Sequence, residues 1–296
     1  MSLWSIGSAA DPCYWRRVAR RAVLGVSGVM VFAVIFLYGA SEWRLRETYD
    51  VVLKPLRAMA PTALIAEGER LSRVFGCRGC HREAGNVLFE QTAVVRLVAP
   101  NLSRVIREYS DEELVRLVRR GVKRNGTSII AMPARSFEHM SDNDLALVIA
   151  ALRAEPELPD KVEGGTSWGP LGRIAIVAGK VPFSADGLGP DLAPLHRPDG
   201  GAEEEGGYLV STLCSDCHEL FSERDNGWGM VAPPVAMMAQ AYPPEDFRHL
   251  MRTGEGTGGR DLGPMSEVAR MDFSQMTGSE VEAIHAYLNS LDLPEE

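Results

Sequence analysis

Two pentapeptides, Cys77-Arg78-Gly79-Cys80-His81 and Cys214-Ser215-Asp216-Cys217-His218, hold four of the chain's five cysteines. Nothing else in the sequence restricts the fold as much. Each motif sets two thiols three residues apart and follows them at once with an imidazole. Each also sits at a matching place in a repeated plan. Gly68-Glu69-Arg70-Leu71 precedes the first motif much as Gly206-Gly207-Tyr208-Leu209 precedes the second. Ser141-Asp142-Asn143-Asp144-Leu145 matches Thr277-Gly278-Ser279-Glu280-Val281, and ten residues on come Ala151-Leu152 and Tyr287-Leu288. The chain therefore reads as an internal duplication of about 90 residues, the size of a small domain and too long for a solenoid repeat.

Between Arg21 and Glu42 run 20 residues without a charge, AVLGVSGVMVFAVIFLYGAS. At about 1.5 Å rise per residue they reach roughly 30 Å, one hydrocarbon core. Arg16, Arg17, Arg20 and Arg21 stand just before them. The positive-inside rule then keeps residues 1–21 in the cytoplasm, makes 22–41 a transmembrane anchor and exports the rest. A cleaved signal peptide is the alternative. It calls for a shorter apolar region and a small residue where Tyr38 stands in Tyr38-Gly39-Ala40. Cysteine usage agrees with export: Cys13 falls on the reducing side, and the other four lie beyond the membrane in two pairs.

Past an exit segment, residues 62–154 form the first unit. Leu64, Ile65, Gly68, Leu71, Val74 and Phe75 predict a helix ending at Gly76. Ser110 and Ser141 are N-cap residues of two more. Residues 155–205 read as a linker rich in Pro, Gly and acid. Within it Leu171–Ala178 is apolar, a short helix packed between domains or one touching the membrane or a partner subunit; packing is the preferred reading. Residues 206–292 form the second unit. No long strand-like alternation appears, so the fold class is all-α: a transmembrane helix followed by two tandem helical domains.

The formal net charge of −9 argues against nucleic acid as a partner. The charge is uneven. Residues 62–154 carry 14 Lys+Arg against 11 Asp+Glu, and residues 155–296 carry 9 against 25. The second unit is thus strongly acidic, with Glu203-Glu204-Glu205 before it and Glu295-Glu296 at the end.

Cys-x-x-Cys-His is the spacing of c-type haem attachment: two cysteines meet the vinyl groups on one porphyrin edge, and the histidine lies beneath the ring. A pair of zinc half-sites is the competing reading, and it leaves both histidines unexplained. Both units resemble class I c-type cytochrome domains. The resemblance implies a haem wrapped by three or more helices, with the first helix crossing the last. It implies that Cys77 and Cys80, and Cys214 and Cys217, bind two haem c groups, with His81 and His218 as proximal iron ligands. It implies a proline whose carbonyl accepts the proximal ring N–H, which is Pro100 in the first unit and Pro233, with Pro234 possible, in the second. It implies a methionine as second axial ligand. Met132, in Met132-Pro133-Ala134-Arg135-Ser136-Phe137, fits the pattern, and Met140 reads as core. In the second unit Met265 best resembles the ligand and Met271 is its rival. Met265 lies 12 residues before Thr277, against 9 between Met132 and Ser141, so an insertion needs explaining. Met237 and Met238 read as core. Of the other histidines only His196 is a candidate ligand.

A thioether ligand raises the potential over a bis-His haem, and a six-coordinate iron offers no substrate site. The expectation is an electron carrier, not an enzyme: a single-pass protein of a bacterial inner membrane, its haem domains in the periplasm. It would pass electrons between redox proteins of a respiratory chain (a dehydrogenase, a cytochrome or a terminal oxidase). The acidic unit could steer a basic partner, or simply keep the domain soluble. A dihaem peroxidase and a haem sensor with one labile ligand are the alternatives.

Overall fold

The structure is a computed structural model and describes residues 12–56, 61–186, 197–198, 201–225 and 230–294. Helix α1, Pro12–Leu45, contains the uncharged run. Among the described residues it is the one helix long and apolar enough to cross a membrane. Val23, Val29, Phe32 and Phe36 are exposed along it, covered by none of the described residues. Past Leu45 the chain is tied to the body. Thr48 bridges Thr127, and the Tyr49 N–H donates to the Gly126 carbonyl at 2.9 Å.

Helices α2 (Ile65–Val74), α3 (Cys77–His81), α4 (Leu102–Glu108), α5 (Asp111–Arg120), α6 (Ala134–Phe137) and α7 (Asp142–Ala154) follow. Leu71, Phe75, Ile106, Leu114, Phe137, Leu145 and Ile149 form their shared core. Further on come α8 (Pro170–Val177), α9 (Ala202–Leu213), α10 (Val235–Gln240), α11 (Pro244–Thr253), α12 (Pro264–Met271) and α13 (Gly278–Ser290). Tyr208, Leu209, Phe247, Leu250, Val281, Ile284 and Leu288 make the second core. Burying each leucine or isoleucine fully contributes about 2 kcal/mol.

The caps read from sequence are formed. Ser110 and Thr277 each close a capping box with the glutamate three residues on, and the Ser141 side chain accepts from the Asp144 N–H. The first helix of each repeat packs on the last. A glycine makes each approach possible: a Cβ at Gly68 would stand 2.1 Å from the Leu147 carbonyl oxygen, and one at Gly206 2.1 Å from that of Ala283.

The fold is mainly helical but not purely so. Strand β1 (Asn86–Gln91) pairs antiparallel with β2 (Val95–Ala99), and β2 pairs with the short β3 (Ser167–Trp168). Val95, Leu97 and Ala99 of β2 are buried and alternate with less buried neighbours. That alternation spans only five residues, too short to stand out from the surrounding apolar positions. Two-stranded ribbons, Arg224–Asp225 with Val231–Ala232 and Glu255–Gly256 with Arg260–Asp261, occur in the second repeat.

Residues 155–186 are knitted onto the first repeat rather than hanging as a linker. The Leu158 N–H donates to Ser103 Oγ at 3.0 Å, Ser184 Oγ donates to the Met132 carbonyl at 2.8 Å, and Phe183 is buried. Helix α8 does not lie between the repeats; it packs against the end of α1 and the β1–β2 turn.

The repeats grip one another reciprocally. Arg70 of α2 donates to both carboxylate oxygens of Glu280, at 2.8 and 2.9 Å. Tyr208, at the matching place on α9, donates its hydroxyl to Asp144 Oδ2 at 2.6 Å and accepts from the Ser141 N–H at 3.0 Å. Asp144 and Glu280 are themselves matching residues, each the third of its helix. Arg197 stands between them, 2.7 Å from Glu280 and 3.5 Å from Asp144. Each first helix thus reaches the start of the other repeat's last helix, as in an isologous dimer. Val74 enters the second core and Leu213 touches the first.

Candidate cofactor sites

The first motif starts where α2 stops. Gly76 takes the left-handed conformation, φ +72°, and turns the chain into the single helical turn Cys77–His81. His81 Nδ1 lies 2.7 Å from the Pro100 carbonyl oxygen. A carbonyl only accepts, so Nδ1 carries the proton and Nε2 keeps the lone pair that a metal needs. Asn101 holds that carbonyl's strand end in place. It is buried, caps α4 through the Ser103 N–H at 3.1 Å and donates to the Leu158 carbonyl at 2.8 Å. Protein packed around the His81 ring pushes its pKa below the usual imidazole value, against the opposing pull of the Pro100 hydrogen bond. The ring is therefore neutral near pH 7.

The second motif repeats this arrangement on a turn. The His218 N–H donates to the Cys214 carbonyl at 2.9 Å, and His218 Nδ1 lies 2.8 Å from the Pro233 carbonyl oxygen. Pro233 makes the contact; Pro234 instead precedes α10 as its N-cap residue. The same tautomer follows, with Nε2 free to coordinate.

The methionines separate by packing. Met132 and Cys77 both lie against the edge of the first core, and Met265 and Cys214 against the edge of the second. Met140 is buried within the first core, at 2% exposure. Met271 is 48% exposed on the same helix as Met265, which packs against the second core. The longer spacing in the second repeat has a local cause. The helix at Met265, α12, has eight residues, whereas α6 after Met132 has four, and a further turn, Phe273–Gln275, precedes Thr277. Met237 and Met238, expected in the core, are exposed on α10, because Ala236 and Ala239 take its buried face.

Thiol chemistry narrows the options. Burial pushes Cys77 and Cys214 up to about 12, and raises Cys80 and Cys217 as well. A disulfide-exchange dithiol needs the opposite shift. Among the described residues no three His, Cys, Asp or Glu side chains converge as a metal cluster, so the two Cys-x-x-Cys pairs do not combine into a zinc site. Two neutral thiols, a neutral imidazole with its free nitrogen outward and a thioether on the same core edge form a donor set that fits haem c.

Other histidines have different surroundings. His285 Nε2 lies 3.0 Å from the Tyr242 carbonyl, His139 lies 3.7 Å from Glu138, and His249 lies 3.4 Å from Glu255. His196 falls outside the described residues.

Asp272 is a contact that sequence reasoning missed. It comes from the second repeat and covers Gly79 of the first motif; a Cβ on Gly79 would meet its Oδ1 at 2.6 Å. Burial pushes Asp272 up to about 7, and its Oδ1 has no hydrogen-bond partner. On the other side, Ser136 of α6 lies 3.0 Å from Ser215 of the second motif, and Arg135 pairs with Glu219 at 2.8 Å. Each motif therefore abuts the segment around the candidate methionine of the opposite repeat. No local sequence signal marks such long-range pairs.

Helices gathered on a Cys-x-x-Cys-His whose histidine is oriented by a proline carbonyl are the arrangement that the resemblance to c-type cytochrome domains implies. No family model matches the chain. It is similar to the gluconate 2-dehydrogenase cytochrome c subunit of Pantoea cypripedii, 24% identical over 269 residues, which cover 78% of this chain and 60% of that protein. The chain thus spans about 60% of the length of this relative.

Proposed function

We propose that this chain is a membrane-anchored periplasmic dihaem c-type cytochrome that serves as the electron-accepting subunit of a dehydrogenase complex. Cys77, Cys80, His81 and Met132 would hold one haem c, and Cys214, Cys217, His218 and Met265 the second. Bound haem c supplies a one-electron ferric/ferrous couple. The chain's own residues do the rest. Pro100 and Pro233 fix the imidazole tautomers, the two apolar cores keep water from one side of each site, and α1 holds the body at the membrane.

The observation that carries this reading is the reciprocal seating of the two motifs across one interface. Each Cys-x-x-Cys-His touches the other repeat, through Gly79 with Asp272 and Ser215 with Ser136. An interface gripped by Arg70, Glu280, Arg197, Asp144 and Tyr208 holds two redox centres at a constant separation, which is what a relay requires. The name of the similar protein supports a dehydrogenase as electron donor. The acceptor is another redox protein of the respiratory chain, and the exposed Glu203 and Glu204 give a basic partner a surface to approach.

The test is a spectrum of the purified protein. Its pyridine adduct should report two c haems per chain, and carbon monoxide should leave the reduced spectrum unchanged because both irons carry two protein ligands. One haem per chain would refute the dihaem assignment. Stoichiometric carbon monoxide binding at one haem would favour the peroxidase or sensor reading.

A further inference from the structure

Helix α8 is almost wholly apolar, and its one charge is turned inward. The Arg173 guanidinium sits over the Tyr38 ring, 4.6 Å from its centroid, donates to Ser41 Oγ at 2.8 Å and reaches Glu42 at 3.3 Å. These partners belong to the last turns of α1, so α8 lies beside the end of the uncharged run. Gly172 brings it close to the sheet, since a Cβ there would stand 2.0 Å from the Val94 carbonyl oxygen. Ile176 is buried at 3% exposure. Arg173, Gly172 and Ile176 thus define the inner face.

The outer face carries no charge. Leu171, Ile174 and Val177 are 55%, 50% and 43% exposed, and Pro170 and Ala178 are exposed beside them. At about 100° per residue these positions fill one stripe roughly 120° wide. A stripe of this kind facing water is unfavourable, and soluble surfaces seldom keep one. Its position identifies the cover. The helix packs beside the last turns of α1, where Tyr38 is still exposed and the uncharged run ends at Ser41. Trp43, 72% exposed, stands two residues past that end, and exposed Lys180 follows the helix. Aromatic and basic side chains at the border of an apolar span are typical of the membrane–water boundary. The placement is rigid, because Arg44 and Tyr49 both bond Asp186 and Thr48 bridges Thr127.

We propose that α8 is an interfacial helix, seated in the headgroup–acyl boundary of the bilayer that α1 crosses, with lipid covering Leu171, Ile174 and Val177. This rests on the reading of α1 as a membrane anchor. The helix gives the body a second point of attachment, so that the first repeat is held against the membrane surface instead of swinging on a single tether.

The test uses the full chain in lipid nanodiscs, with a nitrogen-equilibrated sample as the baseline for each label. A genetically encoded keto side chain takes a spin label without cysteine chemistry, at Leu171, Ile174 or Val177 in turn, with Val29 and Glu282 as references. Power saturation then compares collisions with oxygen and with a water-soluble nickel complex. The expected result is an oxygen-to-nickel ratio several-fold higher at the three α8 positions than at Glu282, approaching that at Val29. A ratio at Ile174 equal to that at Glu282, with Val29 still lipid-like, would overturn the inference while leaving the anchor intact. A water-like Val29 would overturn both. Labels on α8 shielded from both reagents would mean that protein, not lipid, covers the stripe, and would also overturn it.

Discussion

Glu280 offers a quantitative test of how the repeats are held together. Its carboxyl is 3% exposed and accepts two hydrogen bonds from Arg70, one from Arg197 at 2.7 Å and one from the Thr277 N–H at 2.8 Å. Burial pushes its pKa up, but Arg70, the Thr277 N–H and Arg197 outweigh it and lower the value from 4.5 to about 2. A folded-state pKa below the unfolded one stabilises the fold fully above pH 4.5, and the contribution is lost as pH falls towards about 2. The lowering from 4.5 to about 2 corresponds to about 3 kcal/mol near neutrality, of which about 2 kcal/mol remains at about pH 3.5. Glu280→Gln removes the titration and keeps the shape. Urea unfolding of both proteins between pH 7 and 3.5 should show the wild type more stable at pH 7, with the gap narrowing by about 1 kcal/mol at the acid end. A gap that stays constant or widens with acid would refute the reasoning.

Three further outcomes are expected. Gly206→Ala forces α9 and α13 apart and should cost about 1–3 kcal/mol in urea unfolding. Gly207→Ala meets only the Tyr287 ring, at 3.2 Å, and should be near neutral; equal costs at the two sites would contradict the close helix crossing. Tyr208→Phe leaves Asp144 and the Ser141 N–H without their shared partner and should destabilise the chain by about 1–2 kcal/mol, read from the same unfolding curves. Met265→Ala should make one haem bind carbon monoxide, whereas Met271→Ala should not; the reverse pattern would move the ligand to Met271.

Much of the site was legible because it is local. Cys-x-x-Cys-His, the N-cap residues at Ser110, Ser141 and Thr277 and the charge-free run before Glu42 each act over a few neighbouring residues, and spacing alone expresses them. The matching of Gly68 with Gly206 was visible too, although the reason for it, a backbone approach no Cβ would permit, appears only once α7 and α13 lie across them. The β1–β2 hairpin was missed because its alternation is short and its stability comes from burial under neighbouring elements. The core assignment of Met237 and Met238 failed because helical spacing locates a face without saying which face is inward.

By itself the sequence determined the chemistry that each repeat can present: two thiols, an imidazole, a proline carbonyl and candidate thioethers, twice over, behind an apolar helix. The tertiary structure decided what those groups meet. It brought Arg70 to Glu280 and Tyr208 to Asp144, set Asp272 over Gly79, left Met271 exposed on the helix whose Met265 touches the second core, and turned Arg173 inward so that α8 shows an apolar face beside α1. The physical reason is range. Caps, turns and motif spacing are set by neighbours a few residues away, whereas burial, ion pairing and the direction of a helix face depend on contacts between segments far apart in the chain.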